Sequence, residues 1–127
     1  MAKEMLNCEC KTYLRIVADK RYLDDIEGVI AQFTPYKKNN NSISIGENED
    51  FDVDVNVMIR KTLTGFFGRE QLLLGLRRDF SAEIYLVVVP QIVADSDEPR
   101  QILSLDSDVI EFLYKAGVKY DLDYYVL

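Results

Sequence analysis

Residues 82–90, Ala-Glu-Ile-Tyr-Leu-Val-Val-Val-Pro, form the longest run of β-branched, aliphatic and aromatic side chains in the sequence. Alternate positions make two sets. One holds Ala82, Ile84, Leu86 and Val88, and the other Glu83, Tyr85, Val87 and Val89. Both sets are mainly apolar, which requires an interior strand with neighbours on each side. Pro90 cannot donate to a ladder and is expected to end the strand. Whatever else the chain does, it has to build a sheet around this segment.

The rest of the sequence supplies the neighbours. Residues 8–18 alternate, with Cys8, Cys10, Thr12, Leu14, Ile16 and Ala18 on one side and Glu9, Lys11, Tyr13, Arg15 and Val17 on the other. That is a half-buried strand. A helix is predicted over about 20–33, where Leu23, Ile26, Val29 or Ile30, and Phe33 recur at helical spacing and Asp19 can cap the start. Thr34-Pro35 ends it, and residues 35–42 read as a polar loop. A hairpin is expected over 42–60: a short strand at 42–45, a turn at 46–50, and a strand with Phe51, Val53, Val55, Val57 and Ile59 facing inward. A second helix follows at about 68–78, then the 82–90 strand. An acidic loop at 95–99 leads to a short strand near 100–103. A third helix at about 106–116 stops at Gly117, placed as a C′ glycine should be. The last strand covers 118–126.

The expected order is β-α-β-β-α-β-β-α-β within a single domain spanning 1–127. Most strands have one apolar and one polar side. That pattern calls for an α+β fold, a largely antiparallel sheet with about three helices on one face, related to the ferredoxin-like arrangement. At 127 residues the chain can bury a core without disulfides or metals.

Composition excludes several chemistries. There is no histidine, so no His-based triad, general base or metal site can exist. Two cysteines, at 8 and 10, are too few for a four-cysteine zinc site, and on one strand face they are read as buried thiols. The 22 acidic and 15 basic residues give a net charge of −7. That disfavours nucleic acid and anionic membranes as ligands and favours a basic partner. The N-terminal residues lack a secretory apolar core and no segment has the length of a membrane span, so a cytoplasmic protein is expected.

Two kinds of constellation remain. The outward strand positions gather charges among Tyr13, Tyr85 and Tyr125. Such a surface is either an ordinary solvated sheet face with cross-strand ion pairs or a protein-binding face, since tyrosine and arginine anchor many interfaces. The candidate partner-binding residues are Tyr13, Arg15, Asp52, Asp54, Tyr85, Asp121, Asp123 and Tyr125. Acidic pairs recur at Asp52/Asp54, Asp95/Asp97, Asp106/Asp108 and Asp121/Asp123. Asp52-x-Asp54-x-Asn56 starts like a calcium loop, but Val57 stands where the glycine is required and Leu63 where the terminal glutamate is required. Asp106 and Asp108 fit as favourable charges at a helix start. Gly65 and Gly68 precede a helix without the residues of a phosphate loop. No cofactor, metal site or catalytic group is expected.

Three segments, Tyr13-Leu14-Arg15-Ile16, the helix closed by Thr34-Pro35, and Gly117 followed by Tyr120-Asp121-Leu122-Asp123-Tyr124, resemble a bacterial and phage family known as domain of unknown function 4279. That family has no defined reaction. By analogy with other small acidic α+β proteins, the resemblance implies an immunity protein, a stoichiometric inhibitor of a basic toxin or nuclease. The alternatives are a small-molecule-binding regulatory domain and a metal-dependent enzyme using the carboxylate pairs.

Overall fold

The structure, a computed structural model, describes residues 9–51, 54–92, 105–123 and 125–126. The elements run β1 (Glu9–Val17), α1 (Lys20–Ile30), β2 (Tyr36–Lys38), β3 (Ser42–Phe51), α2 (Val55–Leu63), α3 (Glu70–Phe80), β4 (Glu83–Ile92), α4 (Ser107–Ala116), β5 (Lys119–Leu122) and β6 (Tyr125–Val126). The fold is α+β. The sheet has the order β2-β3-β1-β4-β5, with β6 also paired to β4. β1 lies antiparallel to β3 and β4, and β2 antiparallel to β3. β5 and β6 run parallel to β4, so the sheet is mixed rather than largely antiparallel. The ferredoxin-like order is met only in part, and there are four described helices rather than three.

One core holds the helices to one side of the sheet. Cys10, Leu14, Ile16 and Ala18 of β1, Ile43 and Ile45 of β3, and Ile84, Leu86 and Val88 of β4 belong to it. So do Leu23, Ile26 and Ile30 of α1, Met58, Ile59 and Leu63 of α2, Leu73 and Leu76 of α3, and Val109, Phe112, Leu113 and Ala116 of α4. The alternation along β1 and β4 thus marks the buried side as the sequence predicts.

The largest departure is at 51–63. The expected inward strand over 51–60 is instead the end of β3 followed by helix α2. The apolar residues here fit two periods. Phe51, Val53, Val55, Val57 and Ile59 fit a period of two, but Val55, Met58, Ile59, Thr62 and Leu63 fit a helix. The cap decides between them: the Asp54 side chain accepts a hydrogen bond from the Asn56 N–H at 2.8 Å and starts the helix. Val57 is accordingly 46% exposed and Met58 fully buried, the reverse of the alternating pattern.

Smaller corrections follow the same logic. The turn expected at 46–50 is continuous strand carrying a bulge. The register passes from Thr12–Asn48 to Leu14–Ile45, so Tyr13 faces both Gly46 and Glu47. Gly46 takes φ +66°, which glycine permits. Part of the 35–42 loop is the edge strand β2. Pro90 does not end β4; it pairs opposite Cys10, and Gln91 and Ile92 go on to pair with β6. Helix α1 stops at Ile30, leaving Phe33 exposed under the Arg69 guanidinium, 4.4 Å from the ring centre. The expected last strand divides into β5 and β6. The expected strand near 100–103, the 95–99 loop and Cys8 lie outside the described residues.

Asp19 caps α1 by accepting from the Arg21 N–H at 3.1 Å, as the sequence predicts. Gly117 closes α4 at φ +69°, and Val118 N–H reaches back to the Leu113 carbonyl at 2.9 Å. No helix among the described residues is long and apolar enough to cross a membrane.

Candidate protein-binding face

The side of the sheet away from the core displays the outward positions of five strands. The register aligns Lys37, Ser44, Arg15, Tyr85 and Lys119 in one row across β2, β3, β1, β4 and β5. Two residues along, Glu47, Tyr13, Val87 and Asp121 make a second row. Side-chain exposures of 58% for Lys119, 50% for Glu83 and 44% for Asp121 show that this side meets solvent at its β4–β5 end, while Ser44 and Val87 within the rows are buried beneath their larger neighbours.

The centre of the first row is an aromatic ring between two cations. The Arg15 guanidinium carbon lies 5.2 Å and the Lys119 ammonium 5.6 Å from the centre of the Tyr85 ring. Such contacts contribute on the order of 0.5–1 kcal/mol each at exposed sites. The Tyr85 hydroxyl donates to Glu83 Oε1 at 2.6 Å, and Lys119 Nζ reaches the same oxygen at 3.2 Å. These two donors hold the Glu83 carboxyl below the usual carboxylate range, Tyr85 more strongly than Lys119. Glu83 in turn pushes the Tyr85 hydroxyl above its ordinary value. Arg15 is fixed less tightly. Its Nη2 is 3.8 Å from Asp121 Oδ2, and its Nε is shielded from solvent without a hydrogen-bond partner. Among the described residues, stacking on Tyr85 rather than a hydrogen bond sets its position.

At the other end, Glu47 accepts from Lys37 Nζ at 2.7 Å and lies 3.8 Å from Lys11 Nζ. Lys37 is the larger cause of the lowered Glu47 pKa. Tyr13 lies between these regions, with Lys11 Nζ 5.5 Å from its ring centre. Every charged member of the two rows therefore has an opposite charge beside it on the same face.

Four of the eight expected partner-binding residues, Tyr13, Arg15, Tyr85 and Asp121, come together here. The others do not join them. Asp54 is spent on capping α2. Asp123 is exposed beyond the end of β5, its N–H bonded to the Val88 carbonyl at 2.9 Å. Tyr125 is placed by its backbone in β6, and Asp52 lies outside the described residues. Glu83 shares an alternating set with Tyr85 in the sequence, yet only the cross-strand register shows that Glu83 and Lys119 bracket Tyr85. Lys37 and Glu47 were hidden because their segments read as loop and turn.

The acidic pairs separate in use. Asp106 and Asp108 do more than face the α4 N-terminus: both grip Arg60 of α2. Arg60 Nη2 bonds Asp106 Oδ2 at 2.9 Å and Asp108 Oδ1 at 2.6 Å, and Nη1 bonds Asp108 Oδ2 at 2.9 Å. Arg60 holds the Asp108 carboxyl below its usual value. Among the described residues no group of three or more carboxylates and thiols is placed to hold a metal ion. A depression of about 290 Å³ lies beside β2 and β3, lined by Thr34, Pro35, Tyr36, Lys37, Ser44, Gly46 and Glu47. It sits at the lower limit of ligand pockets, roughly 300 Å³, and Lys37 and Glu47, its charged lining residues, already pair with each other.

Comparison of the chain with protein-family profiles, curated sequences and solved structures finds no match in any of the three.

Proposed function

We propose that this chain is a non-enzymatic binding protein that docks another protein on the face of its sheet away from the described helices. The observation that carries the reading is the row Arg15–Tyr85–Lys119, in which Lys119 is exposed and Arg15 and Tyr85 half-buried, flanked by Tyr13 and Asp121. A ring held between two cations is a rigid contact with little side-chain entropy left to lose on binding. The partner class is a basic protein, steered by the net charge of −7 and received at Asp121, Glu83 and Glu47. An inhibitor of a basic toxin or nuclease, which the resemblance of the Tyr13–Ile16 and Tyr120–Tyr124 segments implies, is the form of this function we favour.

The test is capture from host lysate on the tagged protein, eluted along a salt gradient. The reading expects one basic protein, retained near one to one and released at high salt. Capture should fail on a Tyr13→Ala/Tyr85→Ala variant whose thermal midpoint is within a few degrees of the parent. Retention of the same protein by that variant would place the contact elsewhere and sink the reading.

A further inference from the structure

The two rows of the outer face differ in sign. The first holds three cations, Lys37, Arg15 and Lys119, and no carboxylate. The second holds two carboxylates, Glu47 and Asp121, at its ends, with Tyr13 and Val87 between them and no cation. Successive outward residues on a strand are about 7 Å apart, so the rows lie side by side. Each row is therefore the charge complement of its neighbour.

That arrangement has a geometric consequence. Consider a half-turn about an axis lying in the face, midway between the rows and perpendicular to the strands. It lays the cationic row of one copy over the acidic row of another, strand for strand. Lys119 then meets Asp121 of the second copy, both on β5, while Lys37 on β2 lies one strand spacing, about 5 Å, to the side of the second copy's Glu47 on β3, within reach of the two long side chains. Arg15 and Tyr85 lie over its half-buried Tyr13 and the ground above its already buried Val87. Two sheets packed face to face in this way, about 10 Å apart with the usual twist offset, form an isologous interface.

We infer that this face joins two copies of the chain in a two-fold dimer when no other partner occupies it. The inference rests on reading the face as a docking surface and names its resting occupant. A polyanion is a poorer fit, because each cation of the row has a carboxylate beside it. A second copy brings both signs in the right order.

Size sets the expected strength. Five strands and four outward positions cover about 20 by 25 Å, or roughly 500 Å² per copy. The total of about 1,000 Å² is near the smallest for a specific interface. Two copies with like net charge also repel at long range, which about 0.15 M salt screens beyond roughly 8 Å. The dimer is therefore weak, half-formed at roughly 10–100 µM.

Sedimentation equilibrium across roughly 1–200 µM at about 0.15 M salt tests this. The mass should rise with concentration from 14.7 kDa towards twice that value. Lys119→Glu sets like charges face to face across the axis, as does Asp121→Lys, and each should weaken association at least about tenfold. The double variant Lys119→Glu/Asp121→Lys restores the pairing across the axis and should recover association to within about threefold, although it worsens the contacts within each chain to Glu83 and Arg15. Lys119 is exposed and Asp121 partly so, and the thermal midpoints of all three variants check that folding is intact. A parent that stays monomeric, single variants that associate as the parent does, or a double variant that fails to recover would each overturn the inference. A monomeric parent leaves capture of a basic protein to stand or fall by its own test. A dimer with no captured protein would retire that reading and keep this one.

Discussion

Of the described residues with left-handed backbone, Gly46 and Ser81 hold it for opposite reasons. Gly46 at φ +66° has no alternative: a Cβ there would lie 2.7 Å from the Thr62 carbonyl oxygen, where the bulge of β3 presses against α2. That contact is sealed by side chains. Thr62 Oγ1 donates to the Gly46 carbonyl at 2.8 Å, and Asn48 Nδ2 reaches Thr12 Oγ1 and Thr62 Oγ1, each at 2.8 Å. Thr12 is fully buried, so leaving its hydroxyl unmet would cost about 1–3 kcal/mol. Ser81, at φ 53°, caps α3 with nothing in its identity that requires it to be other than glycine. Gly46→Ala should therefore destabilise the protein by on the order of 2–4 kcal/mol, through backbone strain and displacement of α2. Ser81→Gly should stabilise it by about 0.5–1 kcal/mol. Urea denaturation of the pair reads both signs. The caps Asp19 and Gly117 could be read from sequence because each acts on its own helix. The role of Gly46 could not, because its reason sits 16 residues away in Thr62.

Among elements, β2 shows how a three-residue strand is held at a sheet edge. Its alternate residues serve two sides. Tyr36 and Lys38 point to α1, where the Tyr36 hydroxyl donates to Glu27 Oε2 at 2.6 Å and Lys38 Nζ bonds Asp24 at 2.6 Å and Glu27 at 3.2 Å. Lys37 points to the outer face and Glu47. The Tyr36 hydrogen bond, followed by Lys38, holds Glu27 below its ordinary 4.5, and Lys38 holds Asp24 below 3.8. Carboxylates with depressed folded values stabilise the folded state above their unfolded values, and that contribution is lost as pH falls through the folded values. Amide protection at 36–38 should thus fall below about pH 4 ahead of the central strands, as hydrogen exchange would record. Tyr36→Phe should move the Glu27 titration, followed by carboxyl NMR, up towards 4.5; an unmoved titration would mean that Lys38 alone sets it. Helix α2 shows the limit of reading elements from pattern. From Phe51 to Leu63 the strand and helix periods overlap, and β-branched residues favour the wrong one. Asp54 decided the outcome, and in the sequence it looked like one of several acidic pairs. The same blindness hid the clasp of Arg60 on Asp106 and Asp108, because its halves are 46 and 48 residues apart.

For the whole molecule, the amino-acid pattern made the α+β class, the buried side of β1 and β4, and the outward position of Tyr13, Arg15, Tyr85 and Asp121 legible. Strand order was not, because alternation reports which side a residue faces and says nothing of which strand lies beside it. The order places β1 in the middle, paired along one edge with β3 and along the other with β4, from Cys10–Pro90 to Val17–Glu83. Contacts of that separation slow folding, since the long loop must close before it is rewarded. Refolding monitored by stopped flow should therefore fall in the millisecond-to-second range rather than the microsecond range of small helical bundles. Leu14→Ala, at the buried centre of β1, should cost about 2–5 kcal/mol in equilibrium denaturation and slow refolding if β1–β4 pairing limits the rate.

The central position of β1 also bears on synthesis. A ribosome delivers Cys10 to Val17 well before their partners Glu83 to Pro90, which lie 66 to 80 residues further along the chain. Until then the emerging strand can bond β3 along one side while its other side waits. The strand is thus completed long after it is made, and any helper that shields nascent chains would find its work here, on the stretch from Cys10 to Val17.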